Sequence, residues 1–539
     1  MTFIELPYGL FLAIVLGCYW LIRPRLSRPK KEEKGAQPSQ MTASNSPQLW
    51  VLAIASVGFY LLLQIQSDRS STSLVAIAYF NIVLLGAIAY LNFYLGKIIT
   101  RQSQQSVQSQ YAQLSNQDWE QIQQVWNQRA SQLLTLGIAL NVLLLIGFKY
   151  IPFLLETLAA VLGWPGAIEA ATWVRSHLIP PLGISFFTFE CIAYLVDVYR
   201  GAPVTRSFLD FASYKFFFPK LIAGPITRYH QFSAQYQDQQ FPQLIQISEG
   251  LWLIACGAVK KALIADHLGI FVDLCYGNLE RAGSGDLWLA VFAYGLQLYF
   301  DFSGYVDIAR GSALLLGFNL PENFNSPYFA VSIADFWRRW HITLGNWLRN
   351  YLYFPLGGSR QGLARTCLNL FLVMLIAGIW HGAAWGYVIW GILHGLALAM
   401  HRLTETLSQK VEALAVFWRS VPGVVVAWGI TQLMVFSSWI FFRLPNWDRS
   451  GLVLQRLFNY EGDIQFVQKV YIEALGLERF ALTVIVFAIA IAMAITYLCQ
   501  NGFKLQLNWP VKILLIPLAL YFVWLYAPQG GLQYIYFDF

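Results

Sequence analysis

The chain has 539 residues, of which 57% are hydrophobic and 12% charged. A soluble domain carries about 25% charged residues, and half that density cannot cover a water-facing surface of this size, so a large soluble protein is excluded. The net charge of +7 has no solvated domain on which to cluster, which excludes a nucleic-acid-binding protein; the excess suits cytoplasmic loops beside membrane spans.

Apolar runs near the length of a spanning helix, about 20 residues, recur from the start of the chain. They occupy residues 6–22, 49–65, 74–99, 133–149, 178–198, 287–302, 367–380, 383–400, 424–442, 480–499 and 513–526, with a further stretch at 250–272 interrupted by Lys260, Lys261, Asp266 and His267. The pattern predicts an all-α, polytopic transmembrane helical bundle of about 11–12 spans. The first run follows Glu5 with no basic residue before it. A cleavable signal needs a positive n-region, so this run is expected to stay as a helix. Arg23, Arg25, Arg28, Lys30, Lys31 and Lys34 follow it closely, which places that loop in the cytoplasm and the N-terminus outside. Residues 100–132 are rich in Gln and Ser and read as a solvated cytoplasmic loop. No fixed-period repeat is visible. Residues 1–132 are taken as an N-terminal helical region, 133–401 as a catalytic core and 402–539 as a C-terminal helical region.

Two apolar stretches are unsuited to spanning. Residues 208–229 contain Lys215, Pro219, Lys220, Pro225 and Arg228. Prolines remove backbone donors, and unpaired backbone groups are not tolerated in lipid, so a re-entrant or interfacial segment is expected. In residues 335–354, Phe336, Trp340, Leu344, Trp347, Leu348 and Tyr351 share one helical stripe, and Arg338, Arg339, His341, Asn346, Arg349 and Asn350 fall elsewhere. This is the pattern of an amphipathic helix with a cationic side. It suits an interfacial helix with snorkelling arginines, or a cavity wall whose arginines hold an anionic donor such as a phosphate-rich thioester carrier.

Ionisable groups at membrane depth are costly and are functional candidates by default. His381 ends the run LFLVMLIAGIW, and no carboxylate lies between Cys367 and His401 to pair with it locally. A neutral imidazole there is a base tunable by burial, or a core histidine bonded to a carbonyl. Gly378 and Gly382 beside it leave room for a substrate or for a neighbouring helix. Asp301 and Asp307 follow another apolar run, and Asp307 and Arg310 have the i,i+3 spacing of an ion pair. No metal site is expected: His381 and His394 would lie about 220° apart on a continuous helix, and His394 and His401 about 10 Å apart along it. The six cysteines form no CxxC and read as small core residues. Nucleophile-elbow and Walker motifs are absent.

Six blocks in order resemble the membrane-bound O-acyltransferase family, in particular its bacterial polysaccharide O-acetylation branch. They are GISFFTFECIAYLVDVYRG (183–201), FFFPKLIAGPITRY (216–229), LQLYFDFSGYVDIARG (296–311), NFNSPY (323–328), DFWRRWHITLGNWLRNYLYFPLGG (335–358) and GIWHGAAWGYVIWGILHG (378–395). The resemblance implies helices around a central funnel or tunnel. His381, in a W-H-G segment, would be the general base, and His341, in an R-W-H segment, would orient it or assist proton transfer. Branch members often carry an acidic residue where this chain has Asn350, so a charge pair assigned to that position is not expected here.

The reading is an O-acyltransferase that moves an acyl group, acetyl foremost, from a cytoplasmic thioester donor to a hydroxyl of an extracytoplasmic polysaccharide or of a partner transferase. Acetyl-CoA or another acyl thioester is the donor substrate, no cofactor is bound, and Arg338, Arg339 and Arg349 steer the donor. The expected setting is the inner cell membrane, with the lipid bilayer as partner. Two other readings remain open: D-alanyl transfer to a cell-wall polymer, and a transporter or flippase with a buried histidine relay. The latter wants two related halves with paired broken helices, which the sequence does not show.

Overall fold

Residues 6–22, 47–66, 73–104, 116–205, 207–236 and 239–537 are described by a computed structural model. They are helices joined by turns and irregular segments, and their β pairing is an isolated antiparallel bridge between Phe324 and Trp340. The basic cluster from Arg23 to Lys34 that set the expected orientation, and residues 105–115 of the Gln-rich loop, lie outside the described residues. Among the described residues, seven helices are long and apolar enough to cross a membrane: Pro47–Ile65, Val75–Thr100, Asn127–Leu162, Gly362–His381, Val421–Arg443, Arg479–Gly502 and Trp509–Tyr526. Pro7–Leu21 is a shorter apolar helix. The chain is therefore an all-α, multi-pass membrane protein.

Seven is fewer than the apolar runs, for two physical reasons. Some expected spans are short or broken. Ile184–Tyr199 has 16 residues, and the 250–272 stretch is interrupted by a π-helical turn, Val259–Ala265, holding Lys260 and Lys261. Another, within Ser284–Leu315, carries Asp286, Asp301, Asp307 and Arg310. Such groups belong inside protein, not against lipid.

The chain divides into two compact units, Met1–Gly250 with Ala309–Leu320, and Leu251–Ile308 with Pro321–Phe539. In the first, Pro47–Gln66 packs on Leu6–Leu21 and on Ser73–Gln104, which also meets Asn116–Leu145 and Ile184–Tyr199. Buried Asn92 and Asn141 hydrogen-bond each other reciprocally at 3.3 and 2.8 Å, the polar contact expected between helices with no water nearby. The 208–229 segment is not a span. Ser207 caps a short helix, Phe208–Lys215, by accepting the Asp210 N–H at 3.1 Å. The chain then runs without helix through Pro219 and Pro225 to Tyr229. Its polar groups are met internally. Buried Lys215 and Lys220 pair with Glu190 at 3.1 and 2.6 Å, and the Thr227 amide and hydroxyl donate to the same carboxylate at 3.2 and 3.1 Å. A proline-broken backbone is tolerable at this depth only when it is satisfied in this way.

The second unit is built around an antiparallel pair, Gly362–His381 and Trp385–Ser408, with Val421–Arg443 packed on the latter. Glycines bring the two backbones into contact. A Cβ on Gly391 would stand 2.7 Å from the Met374 carbonyl oxygen, and one on Gly378 would collide with the Tyr387 carbonyl. A Cβ on Gly382 would enter the Tyr387 ring. Of the two uses foreseen for Gly378 and Gly382, the neighbouring helix fills the space. Trp509–Tyr526 packs on the Val259–Ala265 turn.

Candidate active site

The site lies within the second unit. The 335–351 stretch, expected to be one amphipathic helix, is two short helices, Ile333–Arg339 and Ile342–Leu348, continued by a π-helical turn Arg349–Tyr353. The break falls at Trp340 and His341. Trp340 is extended and bridges Phe324, and His341 takes φ 44° and ψ 53° in the left-handed region. Non-glycine residues there are uncommon. The flanking backbone enforces it: Asn325 N–H donates to the Arg339 carbonyl at 2.9 Å, and Ile342 N–H to the Asn323 carbonyl at 3.0 Å. The predicted aromatic stripe is nevertheless buried, with Phe336, Trp340, Leu344, Trp347, Leu348 and Tyr351 all in the core.

His341 is fully buried. Its Nδ1 lies 3.2 Å from Asn323 Oδ1, which also accepts the Thr343 amide at 3.0 Å and the Thr343 hydroxyl at 2.9 Å. Phe302 meets the imidazole edge-on, with centroids 4.9 Å apart. Burial pushes the imidazole well below the ordinary histidine range, to about 3, because the charged form loses its hydration. The ring is therefore neutral near pH 7.

His381 is the last residue of its helix and is 3% exposed, so it does not face lipid. Its ring is walled by Trp380, Trp390 and Phe442, with centroids at 4.9, 5.1 and 5.1 Å. Tyr536 connects the two histidines. Its ring centroid is 6.1 Å from that of His341 and 6.1 Å from that of His381, so the imidazoles lie within about twice that distance of each other. Tyr536 also stacks on Phe302 at 4.0 Å. Residues forty apart in the chain thus border the same tyrosine ring.

The segment bearing Tyr536 is held by buried charge. Lys261 pairs with Asp266 and with Asp301 at 2.7 Å each. It also donates to the Gln533 carbonyl at 3.2 Å and lies 4.6 Å over the Tyr534 ring. The other oxygen of Asp301 accepts the Ile535 N–H at 2.9 Å. Asp307, weighed above as a partner for Arg310, pairs with Lys260 at 2.6 Å.

The arginines differ in placement. Arg339 is committed to Asp335 at 2.9 Å, whereas the Arg338 side chain is 72% exposed. Arg349 is exposed and donates to Asn346 at 2.9 Å. On a continuous helix His381 and His394 would face apart; instead the chain turns at Gly382 and the two sit on successive helices. Trp390 lies between them, 5.1 Å from His381 and 4.5 Å from His394. His394 Nδ1 accepts the Trp337 indole N–H at 3.3 Å, so its proton is on Nε2, 2.9 Å from Ser438 Oγ. Both nitrogens are used and the ring is a packed, neutral bridge. Sequence reasoning missed Asn323, Tyr536 and the Lys261 cluster. Asn323 stood inside a noted motif, and Lys261 interrupted an apolar run. The aromatic residues near 536 follow the last apolar run and gave no periodic signal.

The model of the membrane-bound O-acyltransferase family matches residues 61–442, which include His341 and His381. The chain is 41% identical over 337 residues to the "Probable alginate O-acetylase AlgI" of Pseudomonas syringae pv. tomato, covering 62% of each chain. It is 39% identical over 356 residues to the "Peptidoglycan O-acetyltransferase" of Helicobacter pylori, covering 61% of this chain and 65% of that one. To the "Teichoic acid D-alanyltransferase" of Bacillus subtilis it is 28% identical over 282 residues, covering 50% of this chain and 70% of that one. The matched region thus spans just under two thirds of the length of the first two relatives. With the family match running across most of the helical core and through both buried histidines, the chain belongs to the membrane-bound O-acyltransferase family.

Proposed function

We propose that the protein is an O-acetyltransferase of the inner cell membrane, moving acetyl from a cytoplasmic thioester such as acetyl-CoA to a hydroxyl of an extracytoplasmic polysaccharide or of a partner transferase. The observation that carries this reading is that buried His341 and His381 both lie against Tyr536 among aromatic side chains. A thioester is already activated, so the protein must hold the carbonyl near a base, deprotonate the alcohol and exclude bulk water. His381 takes the hydroxyl proton as the oxygen attacks the thioester carbonyl. The C–S bond breaks, and the departing thiolate receives the proton. His341 assists that proton movement. Arg338 and Arg349, exposed on their helices, steer the phosphate-bearing donor by charge.

Acetyl is favoured over D-alanyl because identity is 41% and 39% to the two acetyl-transferring relatives against 28% to the D-alanyltransferase. The test uses the protein in liposomes with acetyl-CoA and, in turn, alginate oligosaccharides and peptidoglycan fragments. His381→Ala is expected to lower acetyl transfer by at least 100-fold, at the low end of the general-base contribution. Wild-type turnover in that variant would remove the assignment.

A further inference from the structure

The structure also assigns the protonation geometry of His341, and this rests on the reading of His341 as a member of the reacting pair. Asn323 Oδ1 faces three groups: the Thr343 amide, the Thr343 hydroxyl and His341 Nδ1. A backbone amide can only donate. The Asn323 atom that faces it is therefore the oxygen, and the side-chain amide has one orientation. An oxygen facing Nδ1 requires the imidazole proton on Nδ1, and in the neutral ring the lone pair is then on Nε2.

We propose that Asn323 is a positioning residue that holds His341 as its Nδ1–H tautomer, with Nε2 as the proton acceptor of the pair. Asn323 is 1% exposed and His341 0%, so solvent does not reorder the contact. Asn323 is itself tied to this place, because its carbonyl accepts the Ile342 N–H at 3.0 Å and the adjoining Phe324 bridges Trp340. The same backbone pairing that forces His341 into the left-handed region delivers the amide oxygen to its ring. A carboxylate at this position would accept the same three donors but would favour the imidazolium. An amide fixes the tautomer and leaves the ring uncharged. Around His341 stand Phe302, Tyr536, Asn323 and Thr343; of these four, Tyr536 alone carries an ionisable group, and burial raises its phenol so that it stays neutral.

Asn323→Asp tests the assignment. It preserves size and acceptors, so a purely structural role predicts an unchanged pH profile. The positioning role predicts that His341 now takes up a proton in the accessible range, and that the acid limb of kcat/KM for acetyl-CoA moves up by one pH unit or more. In a His341→Gln background the same change must leave the limb where it is. An unmoved limb in the single variant, or an equal shift in the double variant, overturns the proposal. If N323D does not fold, the wild-type protein carries the test. With 15N-labelled histidine, and the His341 signals identified by their loss in H341Q, Nδ1 is expected to be the protonated nitrogen; a proton on Nε2 overturns the assignment. Failure of the underlying reading looks different, since H341Q would then retain wild-type kcat whatever stands at position 323.

Discussion

Lys261→Met probes the charge cluster that holds the Tyr536 segment. The side chains of Lys261, Asp266 and Asp301 are each at most 2% exposed, and both carboxylates sit 2.7 Å from the same ammonium. The carboxylates are therefore within about 5 Å of each other, and at an effective dielectric of about 20 their mutual repulsion is roughly 3 kcal/mol. Removing one partner of a buried ion pair costs about 3–5 kcal/mol, a large fraction of a typical stability of about 5–15 kcal/mol. K261M is thus expected to lower the unfolding midpoint in detergent by several degrees. It is also expected to reduce acetyl transfer beyond the fraction unfolded, because the Gln533 carbonyl and the Tyr534 ring lose their cation. Adding Asp266→Asn removes the repulsion while Asp301 keeps the Ile535 N–H, so K261M/D266N should recover part of both losses. A K261M protein that melts and turns over like wild type, or a second substitution that recovers nothing, would refute the claim that this cluster seats Tyr536.

Gly391→Ala is expected to cost about 1–3 kcal/mol as an overpacked contact, since its Cβ would stand 2.7 Å from the Met374 carbonyl. Gly429→Ala, with nothing within 4 Å of the added carbon, should be neutral or stabilising by up to about 1 kcal/mol from helix propensity; chemical unfolding of the two variants gives the comparison. Arg349→Ala and Arg338→Ala should raise KM for acetyl-CoA several-fold, more so at low salt, with kcat retained. Arg339→Ala, which breaks the 2.9 Å pair with Asp335, should show its effect in thermal stability instead.

The architecture was legible in the sequence where apolar length alone decides it, as at Pro47–Gln66 or Val421–Arg443. It was less legible where charged residues stood inside an apolar run. Lys260 and Lys261 looked like interruptions of one span, because their partners Asp307 and Asp301 lie forty or more residues downstream. The break at Trp340 was hidden for a related reason. The aromatic stripe from Phe336 to Tyr351 fits a continuous helix, and every stripe residue is buried. What ends the helix is a bridge to Phe324, and a one-residue pairing leaves no periodicity behind.

The two histidines could be singled out because ionisable groups beside apolar sequence need a reason to be there. Their convergence could not, because it is assembled by five separated positions: Phe302, Asn323, His341, His381 and Tyr536. Seven histidines occur in the chain, and burial alone does not rank them, since His394 is as buried as His341. Hydrogen bonding separates them. The indole that meets His394 can only donate, which places that ring's lone pair on Nδ1 and turns its remaining proton toward Ser438. The amide oxygen that meets His341 can only accept, which places the proton on Nδ1 and the lone pair on the opposite nitrogen. Two equally buried imidazoles are thus set in opposite tautomers by the chemistry of one neighbour each, and His341 is the one whose ring also shares Tyr536 with His381.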